Sequence, residues 1–140
     1  MKKFLALLFG GILAGCSIEG RILHSFYKAC NVRYQPSPYY LQTPNETKRL
    51  KTGDCGDVSF LLLEEWKRKG IEGKLVVGKV SSLDKKLHAW CEVVFEGEEA
   101  VFDPTNNVWF PRKSLDKTGM YVEDARLSYC ELNGIRGKQR

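Results

Sequence analysis

Few residues in this 140-residue chain can do covalent chemistry, since it holds five cysteines and two histidines. Cys55 has the most promising setting. It follows Gly53-Asp54 and precedes the most apolar stretch of the chain, where the spacing predicts a helix. A cysteine nucleophile needs a lowered pKa, and a helix N-terminus supplies part of that through unpaired N–H groups and its dipole. A base must then reach the thiol, and a third group must orient the base. His88 opens an apolar strand, whereas His24 sits in an N-terminal segment of mixed polarity. Asp103 closes the next strand, just before Pro104. A hairpin turning at Gly97 would return Asp103 toward His88, where a carboxylate accepts the second ring N–H. Taken singly, Cys55 would be a small buried hydrophobe, His88 a satisfied core histidine and Asp103 a turn residue. Together they make a Cys-His-Asp constellation in workable order. A zinc site fits poorly, because no two cysteines stand two to four residues apart.

The elements that must position these residues are partly legible. Ile22, Leu23, Phe26, Tyr27 and Ala29 have roughly helical spacing within residues 17–33. Two prolines, Pro36 and Pro38, then force extended backbone. Thr43-Pro44-Asn45-Glu46 predicts a helix start with N-cap, N1 proline and capping glutamate, running to Leu50 and stopping at Gly53. From Cys55 to about Lys69, Cys55, Val58, Ser59, Leu62 and Trp66 form one stripe, which Phe60, Leu61 and Leu63 widen. Such a helix is buried on several sides, and Gly70 ends it. Strands are predicted at Lys74–Val80, His88–Phe95 and Ala100–Asp103. Trp66 and Trp90 read as core. Beyond Pro111 the signals weaken: Met120–Val122 and Ala125–Tyr129 read as strands or loops, and Gly134–Arg140 as a frayed polar end.

Gly53-Asp54-Cys55-Gly56-Asp57-Val58-Ser59, His88-Ala89-Trp90 and Val101-Phe102-Asp103-Pro104-Thr105 resemble, in order, the three active-site motifs of the transglutaminase-like superfamily, a branch of the papain-like cysteine enzymes. Gly70–Gly78 is similar to that family's helix-to-strand connection. Thr43-Pro44-Asn45-Glu46-Thr47 resembles the Thr-Pro-x-Glu of the bacterial transglutaminase-like cysteine proteinases. The resemblance covers about residues 41–106. It departs at Leu41, where those proteinases place a tryptophan, and at Gly56, where an acid is common and Asp57 comes one place later. It implies an α+β, papain-like core with the nucleophile helix packed on a small antiparallel sheet. Cys55, His88 and Asp103 would then be catalytic. The Cys55 backbone N–H would contribute to an oxyanion hole, with Gln42, Gln35 and Tyr40 as candidate side-chain donors. Calcium-dependent members use acidic clusters unmatched here, so no metal and no cofactor are expected.

Length allows one ordinary domain. Composition is globular: 43% hydrophobic and 28% charged, with a net charge of +5. The basic residues are scattered rather than striped, so no nucleic-acid partner is expected. Lys2 and Lys3, the apolar run Phe4–Leu13 and the small residues before Cys16 form a short export signal. The run is shorter than the roughly 20 apolar residues of a membrane-spanning helix. Leu13-Ala14-Gly15-Cys16 resembles a bacterial lipobox, which implies cleavage before Cys16, acylation of its sulfur and a lipid anchor in the cell envelope. Ser17 after it is similar to the outer-membrane sorting pattern. The expected organisation is thus a signal peptide at 1–15, an N-terminal segment at 16–40, the core at 41–110 and a C-terminal extension at 111–140. An exported setting also permits one disulfide among Cys30, Cys91 and Cys130; Cys30–Cys130 would tie the two ends together.

The expected activity is a lipid-anchored cysteine peptidase or amidase acting on a protein or peptide through a thioester. The alternatives are glutamine acyl transfer or deamidation by the same residues, and an idle lipoprotein that keeps the fold for binding. Oligomeric state and substrate are not legible in the sequence.

Overall fold

Ser17, in extended backbone, accepts the Gly20 N–H at 2.9 Å and starts helix α1 (Ile18–Cys30). It is the first residue that the computed structural model describes, the described residues being 17–36 and 40–137. Cys16 and the signal segment lie outside the described residues. Ile22, Phe26 and Ala29 form the buried face of α1. The chain then pairs β1 (Arg33–Tyr34) in parallel with β2 (Thr52–Gly53). Between them stands α2 (Pro44–Leu50), with the anticipated capping box between Thr43 and Glu46. It ends on Lys51 in left-handed backbone, rather than at Gly53.

Helix α3 (Cys55–Arg68) is the centre of the molecule. Asp54 is its N-cap, and Asp57 completes a second capping box. Val58, Ser59, Leu62 and Trp66 of the stripe are buried, as are Phe60, Leu61 and Leu63. Trp66 also donates its indole N–H to Ile22 O at 3.2 Å, which fixes α1 across α3. Gly70, at φ 75°, turns the chain out of the helix.

Five antiparallel strands follow: β3 (Lys74–Lys79), β4 (His88–Phe95), β5 (Glu98–Asp103), β6 (Val108–Pro111) and β7 (Val122–Leu127). Their order is β6-β5-β4-β3-β7. Gly97, at φ 81°, makes the tight β4–β5 turn. Side chains two apart share a sheet face. One face carries Leu75, Ala89, Cys91, Val93, Ala100 and Phe102 against α1 and α3. The other carries Val76, Trp90 and Val101, covered by Leu115 and Tyr121. Leu115 belongs to the short α4 (Arg112–Leu115). Gly78 is required here: a Cβ would lie 2.0 Å from Val122 O and 2.9 Å from the Trp90 ring.

The C-terminal third departs most from the sequence expectation. Strand β6 was not anticipated, and Tyr129 lies in a helix, α5 (Tyr129–Gly137), rather than a strand or loop. The reason is local: Ser128 and Glu131 exchange capping hydrogen bonds. The buried Leu132 and a Tyr129–Phe60 ring contact at 5.7 Å then dock the helix on α3. The disulfide expectation is also corrected, because Cys30, Cys91 and Cys130 are all free thiols. Cys91 points into the core and donates to Ser59 O at 3.1 Å, while Cys130 is exposed beside Lys67.

Candidate active site

Cys55 is the first residue of α3, so its sulfur sits among the unpaired N–H groups of a helix start. That start is unusually well fixed. Asp57 is fully buried and accepts the Gln42 N–H at 2.7 Å on one oxygen and the Asp54 N–H at 3.0 Å on the other. Asp54 in return accepts the Asp57 N–H at 3.0 Å. Gly53 must be glycine, since a Cβ there would lie 2.7 Å from Asp57 Cβ. The Gly-Asp-Cys-Gly-Asp run is therefore a clamp that holds Cys55 and the strand before it. Burial dominates the Asp57 carboxyl and pushes it up to about 6, although the two backbone N–H bonds oppose the rise.

His88 opens β4 and Asp103 closes β5. Continuing the Cys91–Phe102 pair by one residue sets Asp103 across from Trp90, two residues from His88 on the same face. His88 donates Nε2–H to Asp103 Oδ2 at 2.8 Å. Its remaining ring nitrogen is left for the Cys55 sulfur, which lines the same two hollows as His88. The structure therefore brings Cys55, His88 and Asp103 together. Burial works against a charged imidazole, but the hydrogen bonds and negative charge of Asp103 and Cys55 prevail and push His88 up to about 10.

Asp103 is wholly buried and would be a costly ion alone. It is satisfied by four donors: His88, the Asn106 backbone N–H at 3.2 Å, Asn106 Nδ2 at 2.7 Å and the Tyr121 hydroxyl at 3.0 Å. Burial would raise the carboxyl, yet the bonds from His88 and Asn106 hold it below the usual carboxylate value. Neither Asn106 nor Tyr121 is singled out by the sequence. Asn106 had a signal, because Asp-Pro-x-Asn is a turn in which the aspartate caps the N–H three residues on. Tyr121 had none. It adopts left-handed backbone at φ 53°, strained for a tyrosine, and is held there by its N–H on Val80 O and its carbonyl on Arg112, each at 2.9 Å. Trp90 packs edge-on against Tyr121 at 5.2 Å and stacks beside His88 at 6.4 Å. Behind it, buried Glu92 accepts the Trp90 indole N–H at 3.0 Å and pairs with Arg126 at 2.9 Å and Arg112 at 3.4 Å.

The candidate oxyanion donors are placed less favourably. Gln42 is buried, and its side-chain oxygen accepts from Thr47 at 3.0 Å. Gln35 is exposed and extends the β1–β2 pairing through its N–H on Gly53 O at 2.9 Å. Neither lines the hollows beside Cys55, whereas Tyr34 and Tyr40 do. Desolvation, with the charges of Cys55 and Asp54, raises the Tyr34 hydroxyl above its ordinary value and keeps it a proton donor in the hollow that it shares with Cys55.

The comparisons with known structures fit this architecture. No family model matches the chain, and no curated protein sequence matches it. Its fold is that of the papain-like, transglutaminase-like cysteine proteases. Similar structures include a candidate cysteine protease of Cytophaga hutchinsonii, at 23% identity and TM-score 0.59, covering 75% of this chain and 35% of that one. Calcium-bound LapG of Legionella pneumophila matches at 12% identity and TM-score 0.66, covering 79% of this chain and 65% of LapG. EGTA-treated LapG matches at 10% identity and TM-score 0.67, covering 89% and 80%. The chain thus spans about a third of the Cytophaga protein and about two thirds of calcium-bound LapG. Among the described residues no group of three or more His, Cys, Asp or Glu side chains is arranged to hold a metal ion. No described helix is long and apolar enough to cross a membrane.

Proposed function

We propose that this chain is a cysteine peptidase or amidase of the bacterial cell envelope, anchored by lipid at Cys16 and cleaving a peptide or isopeptide bond. One observation carries the reading: a single imidazole, His88, spans a buried carboxylate and a sulfur at a helix N-terminus. In the proposed reaction Cys55 Sγ attacks the carbonyl carbon, its proton having passed to His88. The Cys55 backbone N–H, at the open helix start, stabilises the oxyanion. Collapse of the tetrahedral intermediate expels the amine, which leaves with the proton from His88, and a thioester remains. Water then gives its proton to His88, attacks the thioester and releases the acid. Asp103 holds the ring orientation throughout and does not itself need to accept a proton.

Water is the favoured acceptor because the site is shallow. Tyr34 and Tyr40 beside it are 54% and 53% exposed, and Leu87 is 56% exposed. A cross-linking enzyme must exclude water while admitting an amine.

The test labels the protein with iodoacetamide and maps the product by mass spectrometry, with cleavage of a protein substrate followed in parallel. Cys55 should react faster than the exposed Cys130, and His88→Ala should remove that advantage. Cleavage should vanish in Cys55→Ala. Equal reactivity of Cys55 and Cys130, with cleavage surviving Cys55→Ala, would overturn the reading. Stable incorporation of a labelled primary amine, dependent on Cys55 and without cleavage, would establish acyl transfer instead. For the anchor, the expected mature N-terminus is an acylated Cys16, and Cys16→Ser should leave an uncleaved or soluble form.

A further inference from the structure

Two hollows meet at Cys55, Leu87 and His88, and they differ in chemistry. The larger, about 530 Å³, is lined by Tyr34, Val80, Asp84, Lys85, Lys86 and Asn106. The smaller, about 260 Å³, is lined by Tyr40, Leu41, Gly56, Val77 and Ala89, with Asp54 beside the sulfur. Asp84 is occupied within its own loop, accepting the Ser81 N–H at 2.9 Å. Asp54 is occupied by the Asp57 N–H. Lys85 and Lys86 are exposed, and no ion pair among the described residues takes up either of them. Two ammonium groups against the one carboxylate of Asp84 leave that flank of the sulfur net cationic. The other is apolar and carries a carboxylate that repels anions.

Building on the hydrolase reading above, we infer that the substrate carries an acidic side chain on the Lys85–Lys86 flank of the scissile amide and an apolar side chain on the Leu41–Val77 flank. The two lysines are adjacent on the β3–β4 loop, with only Leu87 between Lys86 and His88, so a substrate carboxylate gripped there is held close to the reacting atoms. Long flexible lysines suit an aspartate or glutamate of variable reach better than a rigid, bidentate site would. Tyr34, shared between this flank and the sulfur, gives the substrate backbone a flat wall. Leu41, Val77 and Ala89 present only carbon to the other flank, which favours a medium-sized aliphatic residue there.

The experiment uses paired internally quenched peptides differing only by Glu or Gln at each position around a scissile bond preceded or followed by Leu. A matching pair of peptidyl vinyl sulfones reports capture of Cys55 without turnover. Wild type should favour the best-placed Glu peptide by about tenfold at low salt, the combined strength of two exposed ion pairs. That preference should shrink severalfold at about 0.5 M salt. Lys85→Glu with Lys86→Glu should invert the Glu-to-Gln ratio for both cleavage and capture. Equal rates for Glu and Gln in wild type would overturn the inference while leaving the hydrolase reading intact. A Glu preference in capture without cleavage of any peptide would uphold acidic recognition and overturn the hydrolase reading. A ratio unchanged in the double variant would show that the lysines do not read the substrate.

Discussion

Tyr121 donates its hydroxyl at 3.0 Å to the same Asp103 oxygen that takes the His88 Nε2–H at 2.8 Å. Tyr121 and Asp103 are 18 apart in sequence, and Tyr121 belongs to the cluster that covers the far face of the sheet. Because Tyr121 is pinned in left-handed backbone by Val80 and Arg112, its hydroxyl direction is set by main-chain bonds rather than by side-chain choice. The carboxylate is thus orientated from behind, which in turn fixes the imidazole.

Tyr121→Phe should keep the ring packing against Trp90 and lose only the hydrogen bond. A bond to a charged group is worth about 1.5 kcal/mol or more, so kcat should fall about tenfold with KM nearly unchanged, because the hydroxyl faces away from the cleft. Tyr121→Ala should also unfold more readily, by about 3 kcal/mol or more in urea, from loss of the buried ring. Steady-state kinetics and denaturation on the two variants separate the effects.

Asp103→Asn should let His88 fall from about 10, since Asp103 supplies a hydrogen bond and a charge that raise it and burial opposes it. A raised histidine contributes stability that is fully present below its unfolded value near 6.5 and is lost as pH rises through about 10. Wild-type unfolding free energy should therefore decline between about pH 7 and 10, by up to about 1.4 kcal/mol per pH unit. The Asn variant should show a shallower decline confined to lower pH, since only the Cys55 contribution remains to raise His88. NMR titration of the His88 ring and urea melts at pH 7, 8.5 and 10 check both statements.

Asp57 gives a slope of the same sign at acid pH. Its folded value, near 6, lies above that of an unfolded aspartate, so its contribution is present below about pH 4 and is lost as pH rises through about 6. Asp57→Asn should remove that slope. It should nonetheless cost about 2 kcal/mol at pH 4, because an amide turned on two N–H donors leaves one unsatisfied. A variant as stable as wild type at pH 4 would mean that the clamp on Gln42 and Asp54 is dispensable.

Gly78→Ala should destabilise by about 3 kcal/mol, since the Cβ runs into Val122 O, an unyielding backbone atom, and overpacks Trp90. Loss of hydrogen-exchange protection should concentrate in β3 and β7, whose pairing shifts register at Val77–Gly78.

Much of the candidate site was legible because its parts are local. Caps, helix spacing and a hairpin glycine act within a few residues, so α2, α3 and the β4–β5 hairpin stand close to where the residues predict them. The lysines beside His88 were visible only as charge. Their relation to Cys55 depends on how the β3–β4 loop folds over the start of α3. The C-terminal elements were obscure because β7 is largely exposed and β6 only half-buried, so neither shows clear alternation. The Ser128–Glu131 capping box is the one local signal in this region, and it starts α5.

The sequence by itself determined which atoms can react and in what order along the chain: a sulfur at a helix start, an imidazole opening a strand and a carboxylate closing the next. Parity within the hairpin was enough to place His88 and Asp103 on one face. Only the tertiary structure decided that Asp103 would be an anion with four donors, that Tyr121 would be among them, and that one flank of the sulfur would be cationic. The physical reason is the range of the forces involved. Periodicity and capping follow from backbone geometry over a turn or two, whereas burial, hydrogen-bond satisfaction and electric field sum over every element packed around a group. That sum exists only once the sheet and α3 have closed on each other.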